Sequence, residues 1–160
     1  MTIKVGDTVP SITLRQMTTD GIKEVSTDEL LGGKKVVLFA LPGAFTPTCS
    51  SKHVPGFIEN AEALKGRGVE AIACVSVNDA FVMDAWGRDL GVGDSVLMLA
   101  DGNADFTRAV DLMLDGSGIG FGVRSQRYAM IVDDGVVKHL AVEDGTGLDV
   151  SAAERTLAML

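Results

Sequence analysis

The chain has 160 residues, two cysteines and a formal net charge of −8 at pH 7. This length suits a single domain, residues 1–160, that buries a core without disulfide bonds. The acidic balance offers no basic stripe to neutralise phosphates, which argues against nucleic acid or an anionic membrane as a partner. The few cysteines fit a reducing compartment and the first residues lack the pattern of a signal peptide, so we expect a soluble cytoplasmic protein.

Strand-like and helix-like segments alternate along the chain, which favours an α/β fold. In the first half, the predicted elements are short extended pieces at 12–14 and 24–25, a capped single turn at 26–30, a buried strand at 35–41 and a helix from 47 to about 66. The strand is continuously apolar, as expected of a strand covered on both faces of a sheet. Pro55 interrupts the helix and predicts a kink.

The second half continues this alternation. Its predicted elements are strands at 69–77 and 96–100, helices at 80–90 and 104–114, a pair of strands at 128–132 and 136–142, and a last helix at 151–160. Asp79 is the expected N-cap of the helix at 80–90. Asp133-Asp134-Gly135 is a strong hairpin signal between the last two strands.

Cys49 lies between the predicted buried strand and the helix that follows it. If Pro47 occupies the first helical turn, Cys49 falls in the same turn, with its sulfur near unpaired backbone N–H groups and the positive end of the helix dipole. Those features favour a thiolate over a thiol. The sequence therefore predicts redox chemistry at Cys49.

The order of elements, with a cysteine opening a helix after a central strand, resembles the thioredoxin fold, a central mixed β-sheet flanked by helices. A thioredoxin would carry Cys-x-x-Cys, whereas Pro42, Thr46 and Cys49 form the Pro-x-x-x-Thr-x-x-Cys pattern of peroxiredoxins. The stretch Pro-Gly-Ala-Phe-Thr-Pro-Thr-Cys-Ser-Ser-Lys-His-Val-Pro-Gly-Phe at 42–57 resembles the peroxiredoxin-5-like, plant type II subfamily. The likeness continues at 73–79, 122–128 and 144–148.

This resemblance implies a thiol-dependent peroxidase that reduces hydrogen peroxide and alkyl hydroperoxides. Cys49 would be the nucleophile and would become a sulfenic acid as water or an alcohol leaves. The Thr46 hydroxyl is expected to hydrogen-bond the thiolate and the peroxide. An ordinary helix N-cap is the alternative interpretation, and both could hold at once. Pro42 is expected to shield the sulfur and to fix the loop.

The family's active-site arginine corresponds to Arg127, whose guanidinium would hold the thiolate charged and bind the peroxide. Arg124 is a supporting candidate, and by spacing alone a surface ion pair is the simpler interpretation of both arginines. His53 lies one helical turn after Cys49, which permits a Cys-His dyad. Peroxiredoxins use no histidine base, so we expect His53 to shape the site instead. No metal ligand set is present in the sequence, and no cofactor is implied.

Cys74 lies in a segment with the composition of a buried strand, so a structural role is preferred. Mammalian members of the subfamily resolve the sulfenic acid with a cysteine near the C-terminus, where this chain has Val150. Plant type II members carry two cysteines spaced as Cys49 and Cys74 are, which leaves Cys74 as an alternative resolving residue. We expect one-cysteine chemistry with an external thiol reductant, either glutathione with glutaredoxin or thioredoxin.

The glycine-rich segment 118–122 is apolar and is expected to form an exposed patch that pairs two copies as a homodimer. Three other functions compete with the peroxidase. One is a redox sensor or chaperone-like binding protein switched by oxidation of Cys49. The others are a thiol–disulfide oxidoreductase, which would require Cys-x-x-Cys, and a cysteine hydrolase, which would require a positioned histidine and an oxyanion hole.

Overall fold

The structure, a computed structural model, describes residues 1–145 and 147–160. Its strands are β1 (Thr13–Thr18), β2 (Gly21–Ser26), β3 (Lys35–Ala40), β4 (Ala71–Ser76), β5 (Leu97–Ala100), β6 (Met113–Asp115), β7 (Val123–Ser125), β8 (Tyr128–Asp133) and β9 (Val136–Val142). Its α-helices are α1 (Thr27–Leu31), α2 (Val54–Glu59), α3 (Ala61–Gly66), α4 (Ala80–Leu90), α5 (Asp105–Ala109) and α6 (Ala153–Leu157). The family-like stretch at 144–148 includes Thr146, which lies outside the described residues.

Seven strands form one mixed sheet in the order β2-β1-β5-β4-β3-β8-β9, with helices on its faces. Central β3 runs parallel to β4 and antiparallel to β8. Its side chains alternate between two cores, with Val37 and Phe39 in one and Val36 and Leu38 in the other. Both faces are covered, which explains the unbroken apolar run in the sequence. The predicted thioredoxin-like α/β fold is confirmed.

The helix that carries Cys49 is irregular. Residues 47 and 48 are α-helical, Cys49–His53 is a π-helical turn, and α2 and α3 follow on either side of Asn60. The backbone N–H of Val54 donates to the carbonyl of Cys49, five residues earlier. Pro55 has no N–H to donate, and its ring would clash with a carbonyl four residues before it, so a widened turn relieves both problems. The predicted interruption at Pro55 is confirmed.

Local signals identified several element boundaries. The Ser26 hydroxyl accepts from Glu29 N–H at 3.0 Å, and the Asp79 carboxylate accepts from Val82 N–H at 2.9 Å, so both caps are present. Asp134 and Gly135 both have positive φ in the turn between β8 and β9, as the hairpin signal predicts.

Other boundaries were predicted wrongly. The helix expected at 104–114 ends at Ala109, because the chain turns at Asp111 (φ 59°) and then pairs β6 with β7 in a small second sheet. The last helix spans only Ala153–Leu157, and the short N-terminal pieces belong to the longer β1–β2 hairpin. None of the helices in the described ranges is long and apolar enough to cross a membrane.

Candidate active site

Cys49 lies just after the loop that leaves the carboxyl end of central β3. The helix begins at Pro47, so Cys49 falls in its first turn, as predicted. The side chain of Cys49 is fully buried. Arg127 donates from Nη2 to the Cys49 Sγ at 3.2 Å. The sulfur is therefore buried beside a cation rather than among apolar groups alone.

Arg127 immediately precedes β8, whose first residue, Tyr128, pairs with the last residue of β3, Ala40. This register places Arg127 beside the loop that leads to Cys49. The side chain of Arg127 is only 3% exposed, and its Nη1 lies 2.9 Å from Nδ1 of His53. Within the described ranges, the ion pairs closer than 4.0 Å do not include Arg127. The interpretation of Arg127 as one half of a surface ion pair is therefore wrong.

His53 is buried between Arg127 and the C-terminal segment. Its Nε2 lies 3.2 Å from the carbonyl oxygen of Ser151. Burial, and then the positive charge of Arg127, lowers the pKa of His53 to about 3, so the ring is neutral at physiological pH. The carbonyl can only accept a hydrogen bond and the guanidinium can only donate, so Nε2 carries the proton and Nδ1 accepts. The acceptor nitrogen is thus occupied by Arg127, which argues against a Cys-His dyad.

Cys74 lies within β4, opposite Phe39 of β3, and is fully buried. Burial, reinforced by the nearby Cys49, raises the pKa of Cys74 well above its ordinary value. Cys74 is accordingly a protonated thiol inside the sheet. Its position agrees with the structural role preferred from the sequence.

The side chain of Thr46 is turned towards its own loop. Its hydroxyl donates to the carbonyl of Gly43 at 2.6 Å. A hydroxyl has one proton, so Thr46 does not donate to the Cys49 sulfur in this structure, contrary to the expectation from the resemblance. Its oxygen lone pairs remain, and with them it can accept a hydrogen bond from a bound hydroperoxide.

Pro42 and Arg124 connect this loop to the glycine-rich segment at 118–122. Pro42 is buried, and its carbonyl accepts from Nη1 of Arg124 at 3.3 Å. Arg124 also donates from Nε to the Phe121 carbonyl at 3.0 Å, and its guanidinium lies 5.1 Å from the centre of the Phe121 ring. Arg124 therefore binds backbone carbonyls and an aromatic ring rather than a surface carboxylate.

Sequence reasoning missed two residues that hold the Cys49 region in place. Asn78 accepts through Oδ1 from the Ala44 backbone N–H at 3.0 Å, which fixes the loop before Cys49. Trp86, on α4, donates from Nε1 to the Ser50 hydroxyl at 3.0 Å. Asn78 lies in the stretch 73–79 that carries the family likeness, so that stretch was the one available signal for it.

Comparisons with known proteins agree with this geometry. The Redoxin family model matches residues 4–157. Peroxiredoxin-2E, chloroplastic, from Arabidopsis thaliana is 52% identical over 99% of this chain and 69% of its own length. Peroxiredoxin-2E-2, chloroplastic, from Oryza sativa subsp. japonica is 56% identical over 99% of this chain and 73% of its own length.

A solved structure shows the same fold. The crystal structure of reduced Prx3 in complex with H₂O₂ from Vibrio vulnificus superposes with a TM-score of 0.94 and 55% sequence identity, covering 98% of each chain. Identity at this level over almost the whole of both chains leaves no large part of the fold unmatched.

The comparisons correct one expectation and establish the family. The predicted cytoplasmic location is wrong, because the two plant relatives are named chloroplastic. The prediction relied on cysteine scarcity, which indicates a reducing compartment without saying which one. The fold, the Pro42–Thr46–Cys49 pattern and the relatives agree, and we conclude that the chain belongs to the Redoxin family as a peroxiredoxin of the plant type II group, a thiol-dependent peroxidase.

Proposed function

We propose that Cys49 is the nucleophile of this peroxidase and that it reacts as a thiolate. The observation that carries the proposal is the 3.2 Å hydrogen bond from buried Arg127 to the Cys49 sulfur. A buried cation requires a nearby opposite charge. No carboxylate among the described residues pairs with Arg127, and His53 is neutral. The Cys49 thiolate supplies the missing negative charge.

The reaction then follows from these groups. The Cys49 sulfur attacks one oxygen of the hydroperoxide, so that an S–O bond forms while the O–O bond breaks and two electrons pass from sulfur to the departing oxygen. That oxygen takes a proton and leaves as water or an alcohol, and Cys49 becomes a sulfenic acid. Nε of Arg127 is buried and has no protein partner within the described residues, so it is available to the charge on the departing oxygen.

Thr46 and Pro42 complete the proposed site. The Thr46 oxygen lone pairs accept the hydrogen of the peroxide and thereby orient the oxygen that is attacked. Pro42 is buried and fixes the loop through Arg124, which donates to its carbonyl. Thr46 thus orients the substrate and Pro42 fixes the loop, and neither residue transfers electrons.

We further propose that an external thiol recycles the enzyme. Cys74 is locked in β4 as a thiol, and Val150 stands where mammalian relatives carry a resolving cysteine. The sulfenic acid therefore condenses with a small thiol, releasing water and forming a mixed disulfide, and a second thiol then frees Cys49. Glutathione with glutaredoxin is the proposed reductant, and thioredoxin is the alternative.

The test compares two cysteine variants. Cys49→Ser should abolish thiol-dependent peroxide consumption and keep the fold, whereas Cys74→Ser, the matched control, should retain most of the activity with glutaredoxin. Intact mass after peroxide and glutathione should show one glutathione on Cys49. Full activity in Cys49→Ser would refute the nucleophile assignment. A Cys49–Cys74 disulfide, together with loss of turnover in Cys74→Ser, would make Cys74 the resolving residue.

We also propose that residues 1–160 form one domain and that two copies pair through the segment 118–122. The two cores share a single seven-stranded sheet, which supports one domain. Ile119 at the centre of the segment is 73% exposed. An exposed apolar loop beside an active site is a suitable surface for a two-fold contact.

A further inference from the structure

Glu143, immediately after β9, forms hydrogen bonds to two separate parts of the chain. Its Oε2 accepts from Asp149 N–H at 2.7 Å, from Ser151 N–H at 2.8 Å and from the Ser151 hydroxyl at 2.6 Å. Its backbone N–H donates to the carbonyl of Arg127 at 2.9 Å. One residue is therefore bonded to the backbone of the active-site arginine and to the segment around Ser151.

Ser151 continues the path towards the active site. Its carbonyl oxygen lies 3.2 Å from Nε2 of His53 and can only accept, so it selects the imidazole form that carries the proton on Nε2. That form leaves a lone pair on Nδ1, which lies 2.9 Å from Nη1 of Arg127. The opposite tautomer would direct an N–H at a guanidinium N–H, which is repulsive.

The guanidinium transmits this constraint to the sulfur. The guanidinium is planar, so fixing Nη1 on His53 also fixes the direction of Nη2, which donates to Cys49 at 3.2 Å. Burial alone would raise the pKa of Glu143, but hydrogen bonds from Ser151 and Asp149 outweigh it and lower the pKa below its ordinary value, so the carboxylate stays charged.

We infer that Glu143 is a positioning residue of the peroxidase reaction, holding Ser151 so that His53 presents Nδ1 to Arg127 and Arg127 presents its fork to Cys49. The inference rests on the proposed role of Cys49 as nucleophile. Glu143 touches neither the sulfur nor the peroxide. It acts on Cys49 through four successive hydrogen bonds, each no longer than 3.2 Å.

The experiment compares Glu143→Ala with Asp144→Ala, which removes the same charge from the adjacent exposed residue. The rate of Cys49 oxidation by hydrogen peroxide is followed through Trp86, the one tryptophan in the sequence. Glu143→Ala should oxidise about tenfold more slowly, while Asp144→Ala should match the unmodified protein. Glu143→Gln keeps an acceptor oxygen and should recover most of the rate.

Nitrogen-15 NMR of the histidines supplies a readout that a merely structural role would not change. His53 should carry its proton on Nε2 in the unmodified protein and should lose this single tautomer in Glu143→Ala, with His139→Gln used to assign the signals. A proton on Nδ1 of His53 in the unmodified protein overturns the inference, even if Glu143→Ala does not fold.

Two further results would overturn it: an unchanged oxidation rate in Glu143→Ala, or slowed oxidation with the tautomer intact. Failure of the proposed function is recognised separately, because Cys49→Ser would then still consume peroxide whatever the tautomer of His53.

Discussion

Cys49 and Cys74 are both fully buried, yet the charges around them differ. Arg127 donates a hydrogen bond to the Cys49 sulfur, whereas burial raises the pKa of the Cys74 thiol within its strand. A thiolate is the nucleophilic form of cysteine, so the neighbouring residues, and not exposure, distinguish the two sulfurs. On the residue scale, the proposed reactivity of Cys49 therefore depends on how Arg127 is held.

Arg127→Lys tests the guanidinium fork. A lysine keeps the positive charge but, as a compact point charge, does not reproduce the planar fork that spans His53 and Cys49. We expect oxidation of Cys49 by peroxide to slow by about tenfold or more, equivalent to roughly 1.4 kcal/mol of transition-state stabilisation. Stopped-flow kinetics measure the rate. Arg88→Lys, in an exposed pair with Asp84, is the control. Unchanged kinetics in Arg127→Lys would remove Arg127 from the site.

The lowered pKa of His53 predicts a pH dependence of stability. The pKa of His53 is about 3 in the folded state and about 6.5 in the unfolded state. Between these two pH values, His53 is protonated in the unfolded chain and neutral in the folded one. The free energy of unfolding should therefore rise with pH across this window, by at most roughly 1.4 kcal/mol per pH unit from this residue. His53→Gln should lose that part of the slope in urea unfolding measured from pH 4 to 7. Equal slopes in both proteins would contradict a neutral buried His53.

On the scale of elements, two loops meet near Cys49 and Arg124 bridges them. Its guanidinium contacts the Pro42 carbonyl on the cysteine loop and the Phe121 carbonyl on the glycine-rich segment. Gly43 leaves room for this contact, because a Cβ at that position would lie 2.5 Å from Nη1 of Arg124. The contact between the two loops therefore depends on the absence of a side chain at Gly43.

Gly43→Ala should displace the Arg124 guanidinium from Pro42. The displaced atom is the end of a flexible side chain, so we expect a stability loss below about 1 kcal/mol but a measurable fall in the Cys49 oxidation rate. Because both changes break the same contact, adding Arg124→Ala should slow the reaction little further. Gly66→Ala, where a Cβ meets nothing within 4 Å, is the control. Additive effects of Gly43→Ala and Arg124→Ala would show that they act independently.

On the scale of the whole molecule, Ile119 tests the proposed dimer. The side chain is 73% exposed in the single chain, so Ile119→Asp should leave the monomer fold intact and disrupt a contact made through this loop. Sedimentation velocity at micromolar concentration should show a dimer for the unmodified protein and a monomer for the variant. Ile22→Asp, a substitution at a 48% exposed position on edge strand β2, should remain dimeric. A monomeric unmodified protein refutes the pairing.

Features encoded by neighbouring residues could be predicted from the sequence. The apolar run of β3, the Asp79 cap, the turn at 133–135 and the break at Pro55 each depend on residues a few positions apart, and each is present in the structure. The Pro42–Thr46–Cys49 pattern is equally local and identified the family. Such signals work because side-chain spacing, caps and turn residues act on the nearest backbone.

Only the tertiary structure decided what depends on distant contacts. The end of the helix predicted at 104–114 forms strand β6 instead, because it pairs with β7, which lies further along the chain. Arg127 is 78 positions from Cys49, and Ser151 is 98 positions from His53, so no local spacing predicts that either pair is hydrogen-bonded. The sequence by itself determined the family and singled out Cys49 as the proposed nucleophile. Packing of the sheet determined the burial of Cys49 and its contact with Arg127, since burial and hydrogen-bond partners exist only after distant segments meet.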